Sequence, residues 1–213
     1  MLKINEITSF DEFIKLQVEW NELLSQCEND SVFLSHEWFK VWWKHFGENK
    51  QLFILLVREE ETLVGIAPLM RVTEKIGNIR LFPSRQIRFI ENCEAPHVDF
   101  IIKKNRLDVL QFIFNYLESV RNQWDIIILE NVPNNSFILK YKLKNKYRSL
   151  LKFQIQQTRM NPVLQTNSDW ESYYLTRSKR FRGAIRNRRN KIQKFGEITI
   201  DKITNPQCIG SAL

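Results

Sequence analysis

Two apolar runs separated by a charged triplet constrain this chain more than any other feature. Leu52-Phe53-Ile54-Leu55-Leu56-Val57 leads to Glu59-Glu60-Glu61 and then to Leu63-Val64-Gly65-Ile66-Ala67-Pro68-Leu69-Met70. The first run is far too short to span a bilayer. It reads as a strand, the three glutamates as a turn, and the second run as the returning strand. Pro68 has no N–H to give to a ladder, which points to an edge strand or a bulge.

Helical spacing dominates before this pair. Ser9-Phe10-Asp11-Glu12 has the form of a capping box, and Phe13, Leu16, Trp20, Leu23 and Leu24 continue one apolar face to about Gln26. Ser35 can cap a second helix carrying Phe39, Trp42, Trp43 and Phe46, stopped by Gly47. After the pair, short strands are expected near Ile79–Phe82 and Ile87–Ile90, and another over His97–Ile102. Arg106 to Arg121 reads as a helix, with Leu107, Leu110, Ile113, Phe114 and Leu117 on one face. Asp125–Leu129 follows as a buried-type strand, the pattern of a crossover unit. A short helix around Ser136–Asn145 and a strand from Leu150 to about Thr158 complete the series. The fold class is α/β, a mixed, mostly antiparallel sheet flanked by helices.

Met160-Asn161-Pro162 breaks that pattern. Ser168-Asp169-Trp170-Glu171 forms a second capping box ahead of a short helix through Leu175. The net charge of +8 then turns out to be local: nine Lys/Arg and no Asp/Glu fall between Arg177 and Lys194, leaving the rest nearly neutral. Phe181, Ile185, Ile192 and Phe195 keep helical spacing inside the basic stretch. Gly196 closes the helix, and Glu197–Ile203 begins a strand with no partner in the remaining sequence.

Cys27, Cys93 and Cys208 are odd in number and match no ligand spacing, which favours reduced thiols. The N-terminus lacks the apolar core of a secretory signal. A soluble, cytoplasmic protein is expected. P-loops, dinucleotide fingerprints and serine-nucleophile motifs are missing, and His36, His45 and His97 form no metal-ligand spacing.

Two stretches resemble a known family. Phe33-Leu34-Ser35-His36-Glu37-Trp38-Phe39-Lys40-Val41-Trp42-Trp43-Lys44-His45-Phe46-Gly47, followed by Gly65-Ile66-Ala67-Pro68-Leu69, is similar to the early helix and strand pair of CelD-like acetyltransferases. These are a GNAT branch associated with cellulose biosynthesis and related to the FemAB aminoacyltransferases. Trp170-Glu171-Ser172-Tyr173-Tyr174-Leu175 resembles the segment joining that family's two halves. So does Ser178–Arg182 with Ile185–Arg189 and Phe195-Gly196-Glu197. Val98-Asp99-Phe100 and Trp124-Asp125 extend the likeness over nearly the whole chain.

The resemblance implies a tandem of GNAT-like halves with the acyl-donor site mainly in the second. On that basis residues 1–160 are expected to form a first GNAT-like domain and 161–196 a connecting segment with the basic helix. Residues 197–213 would start a truncated second GNAT domain, its other part supplied in cis or by a partner chain. The implied activity is N-acyl transfer from acetyl-CoA or another acyl-CoA to an amine or amino-sugar acceptor, a small molecule or glycan, in polysaccharide or cell-envelope metabolism. The catalytic base stays unassigned, and this chain is expected to bind no acyl-CoA tightly.

A GNAT-type donor site needs a loop of free backbone N–H groups at a helix N-terminus. The matching place is Lys103-Lys104-Asn105-Arg106, which has charge but no glycine, so a solvated turn is the preferred reading. Arg177, Arg180, Arg182 and Arg186 are candidates for binding a phosphate-bearing donor, a nucleotide-linked substrate or an acidic glycan; the alternative is a solvated basic face. His97 and Asp99, two apart on an expected strand, share a face and offer an acid/base pair, although a surface or hydrogen-bonded pair is preferred. Trp38, Trp42 and Trp43 could stack on a sugar but read more simply as core and rim. The competing function is a nucleic-acid-binding module using residues 177–194. It lacks any recognised binding motif or a basic bias elsewhere.

Overall fold

The computed structural model describes residues 1–29, 31–75, 83–91, 97–139, 154–156, 169–196 and 199. The chain divides into two compact units, Met1–Thr158 and Arg159–Leu213. The first begins with β1 (Leu2–Ile7), α1 (Phe10–Lys15), α2 (Gln17–Ser25) and α3 (His36–Phe46). β2 (Gln51–Glu59), β3 (Thr62–Lys75), β4 (Pro83–Phe89) and β5 (Ile101–Ile102) follow, then α4 (Leu107–Ser119) and β6 (Ile126–Ile128). The sheet runs β1-β2-β3-β4-β6, with β5 also on β3. Every pairing is antiparallel except β4 with β6. This is the mixed, mostly antiparallel sheet with flanking helices expected from the sequence.

The strand pair read from the two apolar runs forms β2 and β3, in a register that sets Leu56 opposite Ile66. Glu60 takes the turn at a left-handed φ of 55°. Leu52–Val57 and Leu63–Met70 are buried without interruption. Side chains alternate across a sheet, so continuous burial means that both faces are covered. On one face α4 seats at Gly65, where an added Cβ would lie 2.4 Å from Val109 Cγ1. The crossover read from Arg106–Leu129 is also present, since β4 and β6 are parallel with α4 between them.

Pro68 sits in the long central strand rather than at an edge. Its carbonyl accepts from the Ile90 amide at 2.9 Å. In an antiparallel ladder the N–H of the same residue would point to the same neighbour, and proline has none. At this position the neighbour leaves. β4 pairs with Leu69–Lys75, and β5 resumes on the same edge opposite Gly65 and Ile66. Pro68 therefore marks a break in the strand beside it.

Helix ends differ from expectation in three places. Ser9 is the N-cap of α1 but makes no side-chain bond, so its capping box is not closed. The single helix expected to Gln26 is split at Leu16. In the second unit the N-cap is Asp169, accepting from the Ser172 amide at 2.9 Å, one residue later than the box suggested. Ser35 does cap α3, through the Trp38 amide. At Gly47 an added Cβ would meet the Trp43 carbonyl at 2.5 Å, so close approach, rather than an unusual φ, asks for glycine there. The strand expected over His97–Ile102 forms only at its end, as β5. Those expected near 79–82 and over 197–203 lie outside the described residues, except for position 199, as do Cys93 and Cys208; 150–158 lies outside except for 154–156, which form no strand.

His36 is fully buried against Phe13 and Trp20. Its Nε2–H donates to the Phe13 carbonyl at 2.9 Å, and Nδ1 has no partner. Burial holds its pKa below the ordinary histidine value. The unfolded chain then takes up a proton near pH 6.5 that the folded one refuses, so stability falls as the pH drops through that value. Thermal melts from pH 7.5 to 5 are expected to show this fall, and His36→Gln to flatten it. An unchanged slope in the variant would mean that His36 is not the titrating group.

In the second unit, α5 (Trp170–Thr176) and α6 (Lys179–Gln193) are the described helices. Ser178 caps α6 through the Phe181 amide, and the Tyr174 hydroxyl donates to the Arg182 carbonyl, tying one helix to the other.

Candidate active site at a split in the sheet

The break opposite Pro68 opens the sheet between the end of β4 and the residues that lead into β5. Three segments converge there. Glu91 turns directly out of β4, with its amide on the Phe89 carbonyl. Asn131 follows β6 with a left-handed φ of 56°, a conformation asparagine tolerates better than most residues. From that geometry its carbonyl accepts from Val98 N–H at 3.2 Å, and its side-chain amide donates to Glu91 Oε2 at 3.0 Å. One residue thus ties β4, β6 and the approach to β5 together.

Glu91 is half-buried. Burial raises its carboxyl pKa to about 7, reinforced by the nearby Glu130 carboxylate and opposed by the Asn131 bond and Arg88. A carboxylate that titrates near neutrality is present in both forms at pH 7, the condition that suits general acid/base work. Reading the sequence did not single out Glu91. Its only local signal is a glutamate directly after a strand; loss of water raises its pKa, and Asn131, forty residues away, holds the side chain in place.

Asp99 is brought beside this network and buried. Its Oδ1 accepts from the Ser136 hydroxyl at 2.9 Å and from the Phe100 amide at 2.8 Å. Since regular strand begins only at Ile101, alternation along a strand does not place His97 and Asp99 on one face. His97 is half-buried. A water-sized space of about 20 Å³ lies beside Asp99, lined also by Cys27, Phe100 and Ser136. The Cys27 thiol donates to the Leu23 carbonyl at 3.3 Å, and burial pushes its pKa up to about 12. It is thus a packed thiol and not a nucleophile.

The turn weighed as a donor loop and preferred as a solvated turn has three of its four amides bonded. Lys103, Lys104 and Arg106 N–H donate to the carbonyls of Val64, Gln26 and Lys103. Arg106 is held at 2.8 Å by both Asp108 and Glu59, and those bonds raise its already high pKa further. Nothing here resembles a cradle for a pyrophosphate.

Of the four arginines singled out, Arg177, Arg180 and Arg186 are exposed and Arg182 is half-buried. The Arg177 guanidinium bonds the Thr176 hydroxyl and lies 4.6 Å from the centre of the Tyr173 ring. Among the described residues none of the four is ion-paired. Also among them, no group of three or more His, Cys, Asp and Glu could hold a metal, and no helix is long and apolar enough to cross a membrane.

No family model and no curated protein matches the chain. Similar solved structures include a mutant of the BH1408 protein from Bacillus halodurans, at 18% identity, 76% of this chain, 99% of that chain and a TM-score of 0.44. Another is ribosomal-protein-alanine N-acetyltransferase from Brucella melitensis, at 12% identity, 75% of this chain, 100% of that chain and a TM-score of 0.40. A third is glucosamine-6-phosphate N-acetyltransferase from Arabidopsis thaliana, at 16%, 75%, 98% and 0.40 for the same quantities.

Proposed function

We propose that this chain is an N-acyltransferase of the CelD/FemAB-like GNAT branch, acting on an amine or amino-sugar acceptor in polysaccharide or cell-envelope metabolism. Glu91 is its general base. The observation that carries this reading is a half-buried carboxyl at the split in the sheet, held by Asn131, with its pKa raised to about 7. In such a reaction the acceptor nitrogen attacks the thioester carbonyl of an acyl-CoA. The N–C bond forms and the C–S bond breaks; the amine gives its proton to Glu91, and the coenzyme leaves as a thiolate that takes this proton back through solvent, restoring the carboxylate. Because three of the four amides of the 103–106 turn are already bonded, that turn holds a donor weakly. In the second unit, taken by itself, Arg177, Arg180, Arg182 and Arg186 are proposed as contacts for a phosphate-bearing ligand.

The test follows release of the coenzyme A thiol from millimolar acetyl-CoA, with glucosamine and simple amines as acceptors, across pH 6 to 9. The rate is expected to rise through about pH 7 as Glu91 ionises. No release above background with any amine would sink the proposal.

A second reading rests on a separate observation, the nine cations from Arg177 to Lys194 with no acid among them. If that segment binds nucleic acid, a gel shift is expected at low salt. Affinity would fall with a log–log slope of about 0.9 per phosphate neutralised. Absence of a shift at low salt ends that reading.

A further inference from the structure

A second concavity lies away from the split, where β1 ends and β2 begins. It is a cleft of about 340 Å³, near the small end of ligand sites. Thr8, Phe10, Trp43, Lys50, Gln51, Leu52 and Arg71 line it. Its charge is one-sided: two cations and no carboxylate face it. Its apolar wall is aromatic, with Phe10 and Trp43 half-buried.

Arg71 is fixed in place before any ligand arrives. Its guanidinium lies 3.8 Å from the centre of the Phe53 ring, and Nη2 donates to Gln123 Oε1 at 2.8 Å. Glu6 stands 3.9 Å from the same nitrogen but also accepts from the Tyr116 hydroxyl. Nε is buried and has no partner. Lys50 is likewise held, its Nζ donating to the Phe46 carbonyl at 2.7 Å and the Glu48 carbonyl at 3.4 Å, which leaves one ammonium proton to give. Two immobilised cations beside an aromatic wall form an anion site with little ordering cost on binding.

We propose that this cleft binds a monosaccharide carrying one anionic group. The anion meets Lys50 and Arg71, the ring lies against Trp43, and Thr8 and Gln51 take its hydroxyls. The chemistry of the wall decides the class. Lone inorganic anions would leave the aromatic face and the two neutral polar groups unused, and neutral sugars would leave Lys50 without a counter-charge.

The experiment is isothermal titration of the full chain with glucose 6-phosphate, glucuronate, glucose and inorganic phosphate. One or both anionic sugars should bind at least tenfold more tightly than glucose or phosphate, and the better of the two tells a phosphate site from a carboxylate site. Lys50→Gln should weaken that binding about tenfold while leaving the melting temperature close to that of the parent. Trp43→Phe, which keeps an aromatic face, should weaken it less than Trp43→Leu. Since Arg71 also supports the fold, Lys50 is the deciding variant. Phosphate binding as tightly as the sugars, no heat with any probe, or unchanged affinity in Lys50→Gln would overturn the proposal.

Discussion

Glu91→Gln is expected to stabilise the protein at pH 8 while lowering acyl transfer by about a hundredfold to ten-thousandfold, the range for loss of a general base. The two effects share one cause. Burial raises the folded carboxyl pKa to about 7, whereas the unfolded side chain titrates at its ordinary value of 4.5. Between those values the folded state holds a proton that the unfolded state has lost. Folding is therefore progressively penalised as pH rises through this window, and the penalty is complete above pH 7. Its upper bound is roughly 3 kcal/mol, and local rearrangement reduces what is measured. Glutamine resembles the protonated acid, can still accept from Asn131, and carries no such penalty. Melts of both proteins at pH 4.5 and pH 8 give the check. They should nearly coincide at the lower pH and diverge at the higher one. Equal melting temperatures at pH 8 would show that Glu91 is not held protonated by the fold. Greater stability with unchanged transfer would leave its pKa in place but remove its role as base.

That site illustrates which features could be read before the structure. The apolar runs at 52–57 and 63–70 specify β2 and β3 because continuous burial needs only local sequence. The face of α4 was legible for the same reason, and so was the Ser35 cap, whose partner is three residues away. Pro68 was recognised as a ladder breaker, but which strand it would interrupt depends on what pairs beside it. Its own strand runs on from Thr62 to Lys75, and the neighbour departs. Glu91 was missed because its character lies in a long-range partner and in loss of water, neither of which has a local pattern. The fate of Arg106, for which a phosphate contact was the less favoured reading, was hidden for a related reason. Its charge was visible, but the claims of Glu59 and Asp108 upon it depend on the tertiary fold. The cationic cleft assembles Thr8, Trp43, Lys50 and Arg71 from four separate places in the chain, so no motif could announce it.

Gly65→Ala tests the packing that positions the split. A methyl group at Gly65 would be built 2.4 Å from Val109 Cγ1 and 3.5 Å from Val57 Cβ, and both valines are fully buried. Valine has little rotamer freedom with which to retreat, so α4 must move off β3 or strain must be stored. Overpacking of this kind costs about 1 to 3 kcal/mol, or about 3 to 10 °C in melting temperature for a chain of this length. Shortening the opposing side chain separates steric conflict from any intrinsic cost of alanine in a strand. The double variant Gly65→Ala/Val109→Ala should be less destabilised than the two single variants added together, with a coupling of about 1 kcal/mol or more. A Gly65→Ala protein melting within a degree of the parent would show that α4 is not seated on this glycine. The conflict also reaches the site. Gly65 pairs with Ile102, and the Lys103 amide bonds the Val64 carbonyl beside it. A helix displaced at Val109 would thus drag on β5, the strand that closes one side of the split, so transfer activity should fall along with stability.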